Sequence, residues 1–94
     1  LQDYTEALKW GRLSAEQGDA QAQNNLGVMY EYGTGVLQDN VTAHMWYNIA
    51  SAKGHENAGG DRDELAALMT ASEITEATAM AKECMASGYK KCGY

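Results

Sequence analysis

The sequence predicts an all-α fold, an α/α superhelical solenoid of antiparallel helix hairpins with about five helices. The first observation is an internal repeat: residues 1–22 and 37–58 share seven identities at an offset of 36 positions. A period in the mid-thirties is typical of helical-hairpin repeats. The second is composition, because the 94 residues include no Pro and are rich in residues that favour helix. Such arrays present extended surfaces that hold other proteins.

Two helices joined by a short turn form the predicted first hairpin, and so short a turn requires antiparallel packing. The first helix, over 3–17, begins at Asp3, a good N-cap, and ends before Gly18, which suits a left-handed position. Its predicted inner face combines a Trp with small residues: Ala7, Trp10, Gly11, Ser14 and Ala15. The second helix, over 19–32, is capped by Asp19. Its predicted buried stripe is Ala22, Leu26, Met29 and Tyr30.

A glycine-containing loop over 33–38 leads into the predicted third helix, over 39–53, which Asp39 caps. Its predicted inner face is Trp46, Tyr47 and Ala50. Tyr30 and Trp46 are expected to be buried between adjacent helices. Trp46 should also occupy the position that Trp10 occupies one repeat earlier.

The last two predicted helices depart from the repeat. Gly59-Gly60 breaks the pattern, and a helix over 61–69 is predicted to follow it. The segment 70–73 reads Thr-Ala-Ser-Glu, a capping box that starts a final helix over 71–87. The apolar face of that helix is Ile74, Ala77, Met80, Ala81 and Cys84.

The charge and hydropathy of the chain exclude several kinds of partner. The net charge of −6 argues against nucleic acid and against anionic membranes, because both require a cationic surface. No apolar run approaches the ~18 residues that a membrane-spanning helix needs, so membrane insertion is not expected. No signal peptide is visible.

The register of the repeat predicts that the chain is a fragment of a longer array. Leu1 corresponds to Leu37, which lies within the predicted loop between repeats. The first helix should then lack an upstream neighbour and expose apolar surface around Tyr4, Leu8 and Trp10. Exposed apolar patches tend to find partners, so self-association through this helix is expected.

Residues 1 to about 58 resemble a known repeat family. The positions that carry the resemblance are Ala22-Gln23, Leu26-Gly27, Met29-Tyr30, Gly33-Thr34-Gly35-Val36, Gln38-Asp39, Ala43, Trp46-Tyr47, Ala50 and Gly54. In this order and spacing they resemble the consensus of the Sel-one-like repeat family, which is related to tetratricopeptide repeats. The resemblance implies an α/α solenoid that serves as a scaffold or adaptor, with no catalysis and no cofactor. Gly11 stands where the consensus has Tyr, which leaves a gap for another side chain.

The family resemblance also implies that the chain has three parts. Repeat one is expected over 1–36 and repeat two over 37–69. Residues 70–94 resemble the terminal cap helix and tail of bacterial members of the family.

Cys84 and Cys92 allow three states, namely a disulfide, two free thiols, or half of a zinc ligand set. Cys92 follows Gly88, so the chain can fold back and bring the two sulfurs together. A cysteine-rich branch of the resembled family uses this C-x7-C spacing for a disulfide, so the resemblance implies a Cys84–Cys92 bond. A disulfide would favour a periplasmic or secreted location over a cytoplasmic one.

Other short patterns have simpler explanations than catalysis or ligand binding. Gly33-Thr34-Gly35 follows a helix rather than a strand, so it does not fit a nucleotide-binding loop. Ser87 and Lys90 match the S-x-x-K pattern of β-lactam-recognising enzymes, but Ser87 closes a helix instead of opening one. His44 and His55 are expected at the surface, and no metal site is predicted. The S-x-x-K pattern and the cysteine pair nevertheless leave one alternative function, a cell-envelope hydrolase or β-lactam-binding protein of the cysteine-rich branch.

The leading hypothesis is a module that binds a protein or peptide partner of unknown identity. The first and third helices are expected to line the inner surface of the solenoid. Their candidate contact residues are Lys9, Arg12, Leu13, Glu16, Met45, Asn48, Ile49 and Ala52. The alternative for Leu13 and Ile49 is that they complete the core.

Overall fold

The computed structural model describes residues 4–93, which form five α-helices and no β-strand. The helices are α1 (Tyr4–Glu16), α2 (Ala20–Tyr32), α3 (Asn40–Ala52), α4 (Ala58–Ala66) and α5 (Ala71–Ala86). The all-helical prediction is confirmed. Asp3, the predicted N-cap of α1, lies outside the described residues.

Polar caps fix most of the helix ends where the sequence predicts them. The side chains of Asp19 and Asp39 each accept a hydrogen bond from the backbone N–H three residues further on. Thr70 and Glu73 form both hydrogen bonds of a capping box at the start of α5. Gly33 ends α2 with a φ of 68°, a left-handed conformation that favours glycine.

α3 is the central helix of the structure. It packs against α2, α4 and α5, whereas α1 packs mainly against α2. Trp46 is fully buried and Tyr30 nearly so, as predicted. The core around α3 also contains Leu26, Leu65, Ala81 and Cys84.

The closest approach between α2 and α3 occurs at Gly27. A Cβ atom built on Gly27 would lie 2.5 Å from Cδ1 and Cε1 of the Tyr47 ring, so only glycine fits beneath that ring. The Tyr47 hydroxyl donates a 2.7 Å hydrogen bond to Oε1 of Glu31. Burial, followed by this hydrogen bond, raises the pKa of Tyr47 well above its ordinary value. The hydroxyl therefore stays protonated and continues to donate at neutral pH.

The predicted bounds of the fourth helix are wrong, since α4 covers Ala58–Ala66 instead of 61–69. Gly59 and Gly60 lie inside the first turn instead of interrupting the helix. Ala58 is fully buried, and a Cβ on Gly59 would lie 3.3 Å from the hydroxyl oxygen of Ser51 in α3. Close packing of α4 on α3 thus outweighs the cost of about 1 kcal/mol that each helical glycine carries.

The predicted inner face of α1 is wrong at Ala7 and Trp10 but right at Gly11 and Ala15. Ala7 and Trp10 are exposed, and 58% of Trp10 is accessible although its repeat counterpart Trp46 is fully buried. The reason is the orientation of α1, which meets α2 through Gly11 and Ala15 and turns Trp10 outward. The predicted apolar surface is present in part, because Tyr4 is exposed with Trp10 whereas Leu8 packs against the core.

His44 is buried, although the sequence predicted a surface position. α3 has neighbours on three sides, so its polar positions face protein as well as solvent. The Nδ1 atom of His44 has no hydrogen-bond partner among residues 4–93. Burial, followed by the positive charge of Arg62, lowers the pKa of His44 below 6.5.

The contact at Gly27 predicts opposite effects for two Gly→Ala substitutions. Gly27→Ala should lower the free energy of unfolding by about 1–3 kcal/mol, because the new methyl group overlaps the Tyr47 ring. Gly11→Ala should raise it by roughly 0.5–1 kcal/mol, because a Cβ there lies 3.7 Å from Leu26 and alanine favours helix. Urea denaturation measures both. Equal effects of the two substitutions would contradict the close approach at Gly27.

The burial of His44 predicts a loss of stability as the pH falls. The unfolded chain takes up a proton on His44 near pH 6.5, whereas the folded protein takes it up only at lower pH, so acid favours unfolding. We expect the melting temperature to fall from pH 7.5 to 5.5, with a shallower slope in His44→Gln. A wild-type slope in His44→Gln refutes the assignment.

Candidate functional site

The residues predicted to contact a partner do not form one surface. Met45 and Ile49 are fully buried, so their predicted role as contact residues is wrong. α3 packs against α4 and α5 as well as α2, and these two side chains lie in the core that the helices share. Lys9 and Leu13 are exposed on α1, while Glu16 is half-buried.

Two other predicted contact residues join neighbouring helices. Arg12 Nη2 donates a 2.7 Å hydrogen bond to the hydroxyl of Tyr30, which links α1 to α2. Asn48 Oδ1 accepts a 2.9 Å hydrogen bond from Arg62 Nη1, which links α3 to α4. Both side chains are therefore committed to contacts within the fold. Ala52 is exposed at the end of α3.

A polar cleft of about 480 Å³ lies between the start of α2, the α3–α4 loop and α4. Its lining residues are Gln21, Asn24, His55, Glu56, Asn57, Gly60, Asp61 and Glu64. Sequence reasoning assigned this group no site. The repeat offset contains a signal, however, because Gln21 and Asn24 correspond to Asn57 and Gly60 36 positions later. The cleft is thus lined by equivalent positions of successive repeats.

The wall of the cleft formed by the α3–α4 loop is fixed by hydrogen bonds. Gly54 has a φ of 96° and reverses the chain after α3. His55 Nδ1 accepts a hydrogen bond from the backbone N–H of Asn57, so Nε2 carries the proton in the neutral ring. Nε2 lies 3.1 Å from Oε1 of Gln21 and donates to it. This contact ties the loop to α2 across the cleft.

One buried acceptor in the cleft lacks a donor. Asn24 is only 7% exposed, and its Oδ1 atom has no hydrogen-bond partner among residues 4–93. The neighbouring Gln23 turns toward α1 and donates to the carbonyl of Ala15, although its Oε1 atom also has no partner among residues 4–93. A buried polar atom without a partner is costly, so Asn24 Oδ1 is suited to accept a hydrogen bond from a ligand.

The cleft is also strongly acidic. Its lining contains three carboxylates, of Glu56, Asp61 and Glu64, and no Lys or Arg. The nearby Arg62 is directed elsewhere, because its Nε atom lies 3.1 Å from a carboxylate oxygen of Asp63 and its Nη1 bonds to α3. The cleft therefore has a negative potential that nothing in its lining offsets.

Metal binding and membrane insertion find no support in the described part of the chain. Residues 4–93 contain no group of three or more His, Cys, Asp or Glu side chains placed to hold a metal ion. Within the same range, no helix combines the length and the apolar character needed to cross a bilayer.

Ser87 serves as a structural cap in the segment that follows α5. Its hydroxyl donates to the carbonyl of Cys84 and accepts from the backbone N–H groups of Lys90 and Lys91. These bonds occupy the oxygen that the S-x-x-K pattern would use as a nucleophile. The turn directs the chain back toward α5.

Cys84 and Cys92 are paired as a disulfide in the structure, with their Cα atoms 4.3 Å apart. Both residues are buried at the edge of the core. Tyr89, between them, packs against the same core and donates from its backbone N–H to the carbonyl of Cys84. The pair thus joins the C-terminal tail to the last helix.

Comparison with known proteins gives two matches. A family model described as Sel1 repeat, the Sel-one-like repeat, matches residues 1–19 and 20–55, which together exceed half of the chain. Within that family match, the segment 20–55 covers α2, the glycine loop and α3. Chitin synthase regulatory factor 3 of Schizosaccharomyces pombe (strain 972 / ATCC 24843) is 43% identical over 53 residues, or 56% of this chain. The matched region is only 6% of the length of that fungal protein.

The cysteine geometry predicts that the protein as purified without reductant has no free thiol. Reduction should lower the free energy of unfolding by roughly 2–3 kcal/mol, because the bridge restricts the unfolded chain. Thiol titration in denaturant and urea melts with and without reductant measure both effects. The double variant Cys84→Ala/Cys92→Ala is the control and should not respond to reductant. Two titratable thiols in the unreduced, denatured protein would contradict the pairing.

Proposed function

Since the chain belongs to the Sel1 repeat family, we propose that it is a protein-interaction module without catalytic activity of its own. Sel1 repeats generally mediate protein–protein interaction. The partner is an extended polypeptide segment that lies in the cleft between α2 and α4. The site is therefore the polar cleft and not the exposed face of α1 or α3.

The observation that carries this proposal is the composition of the cleft. Gln21, Asn24 and Asn57 place three carboxamides around it, and each carboxamide can both donate to and accept from a peptide group. A volume of about 480 Å³ lies within the range of roughly 300–1,000 Å³ typical of ligand sites. The cleft can thus hold the backbone and a few side chains of a peptide.

The repeat organisation supports the same proposal. Equivalent positions of two successive repeats line the cleft, at 21 and 57 and at 24 and 60. An extended peptide that runs across both repeats would meet a carboxamide in each, first that of Gln21 and then that of Asn57. Such repetition is the means by which stacked hairpins generate a long binding surface.

The fungal relative is consistent with a role in regulation through binding. Its name describes a regulatory factor of chitin synthase. The chain corresponds to a small part of that protein, so we propose for it only the role of a binding module within a larger assembly. The hydrolase alternative is not supported, because the Ser87 oxygen is occupied by three backbone contacts.

The cysteine pair supports a location outside the reducing cytoplasm. Disulfides persist in oxidising compartments, and Cys84 and Cys92 are paired and buried in the structure. We therefore propose a periplasmic or secreted location.

Peptide selection tests the proposed site. Linear peptides selected from a phage-displayed library against the oxidised chain should lose affinity by about tenfold or more for Gly60→Trp. Gly60 lines the cleft and a Cβ there meets nothing within 4 Å, so the indole fills the cleft without disturbing the core. Fluorescence anisotropy measures the dissociation constants.

Ala79→Trp is the matched control for this experiment. Ala79 is exposed on α5 and is not part of the cleft lining, so this variant should bind the selected peptides like the wild type. Selected peptides that bind Gly60→Trp as tightly as the wild type would place the site elsewhere. A selection that returns no binding peptide would contradict the proposal altogether.

A further inference from the structure

We propose that the cleft is specific for a cationic side chain, that of an Arg or Lys residue in the bound polypeptide. This inference rests on the proposed function and names the chemistry that the partner must carry. The cationic character of the partner is inferred from the negative charge of the cleft and from Asn24 Oδ1, a buried acceptor without a partner among residues 4–93. Neither feature follows from the repeat pattern alone.

The carboxylates of the cleft come from two neighbouring elements. Glu56 belongs to the α3–α4 loop, and Asp61 and Glu64 lie three residues apart in α4, a spacing that places both on one face of the helix. The nearest cation in sequence, Arg62, pairs with Asp63 and Asn48 instead. A bound cation would therefore offset part of this negative charge.

The second observation is independent of this charge. Asn24 is more than nine-tenths buried and lines the cleft, and its Oδ1 atom accepts no hydrogen bond from residues 4–93. This oxygen requires an N–H or O–H donor. A guanidinium group has five N–H donors and an ammonium group has three, and neither can accept.

The hydrogen bonds already present leave the cleft with an excess of acceptors. The proton on His55 Nε2 is used by Gln21 Oε1, and Nδ1 is used by the backbone N–H of Asn57. Gln21 donates from Nε2 to Asn25. The three carboxylates and Asn24 Oδ1 remain as acceptors at the cleft, and together they suit a donor-rich cation. An acidic peptide would meet like charge at each of the three carboxylates.

Two nine-residue peptides test the proposal. Both consist of Gly and Ser around a central residue, which is Arg in one and citrulline in the other. Citrulline keeps the shape of Arg but is uncharged, because a carbonyl oxygen replaces one NH2 group and leaves three N–H donors instead of five. The probe of binding is the ¹H–¹⁵N NMR spectrum of the oxidised, ¹⁵N-labelled 94-residue chain.

The Arg peptide is expected to shift the side-chain carboxamide signal of Asn24 and the backbone amides of residues 55–64. The citrulline peptide should bind about fivefold or more weakly. Raising the salt concentration from about 0.05 to 0.3 M should weaken the Arg peptide and have little effect on the citrulline peptide. Free argininamide should bind more weakly than the Arg peptide, because it lacks the flanking peptide groups.

A matched pair of variants separates the cleft from the general charge of the protein. Glu64→Gln removes one carboxylate from the cleft and should lower affinity for the Arg peptide several-fold. Glu76→Gln makes the same change at an exposed position of α5 outside the cleft and should leave that affinity unchanged. Equal losses in both variants would show a non-specific effect of net charge and overturn the proposal.

The remaining outcomes distinguish this inference from the proposed function. Equal affinity of the Arg and citrulline peptides, with shifts in the cleft, overturns cation specificity but leaves peptide binding intact. Binding of free argininamide as tight as that of the Arg peptide overturns the polypeptide as ligand. Absence of any shift in the cleft overturns the inference, and the comparison of Gly60→Trp with Ala79→Trp then decides the proposed function separately.

Discussion

The packing of the Tyr47 ring against the bare backbone of Gly27 sets the distance between α2 and α3, and the remaining structure depends on that distance. α3 can lie close to α2 only because position 27 has no side chain. α4 and α5 also pack against α3, and Met45, Ile49 and Trp46 are buried together in the core. The Tyr47 hydroxyl, protonated at neutral pH and bonded to Glu31, fixes the ring over the glycine.

The proposed binding site follows from the same arrangement. α2 and α4 both pack on α3, and the space between them, closed by the loop that contains His55, is the polar cleft. Its walls are held by hydrogen bonds that join different elements, so the cleft is largely formed before any partner binds. A preformed site loses less conformational entropy on binding than one that must be ordered first. The three carboxylates and Asn24 Oδ1 are the acceptors on which the proposed cation specificity rests.

The sequence predicted the helices well where local chemistry determines them, as at the caps Asp19, Asp39 and Thr70. It failed where the outcome depends on neighbours distant in sequence. Helical periodicity describes one buried face, but α3 has three neighbours, which explains the burial of His44, Met45 and Ile49. Trp10 shares its repeat position with Trp46 but not its neighbours. The carboxylates of the cleft lie in or beside the segment where the repeat loses its register, so only half of the site could have been found from the 36-residue offset.

Native-state hydrogen exchange of the oxidised chain tests most directly whether α3 is the element on which the fold depends. Amides of α3 should exchange only through global unfolding, with an opening free energy equal to that obtained from urea denaturation. Amides of α1, which packs mainly against α2 alone, should exchange through smaller openings. If α3 amides exchange as readily as those of α1, or open independently of α2 and α4, then α3 is not the central helix that this account requires.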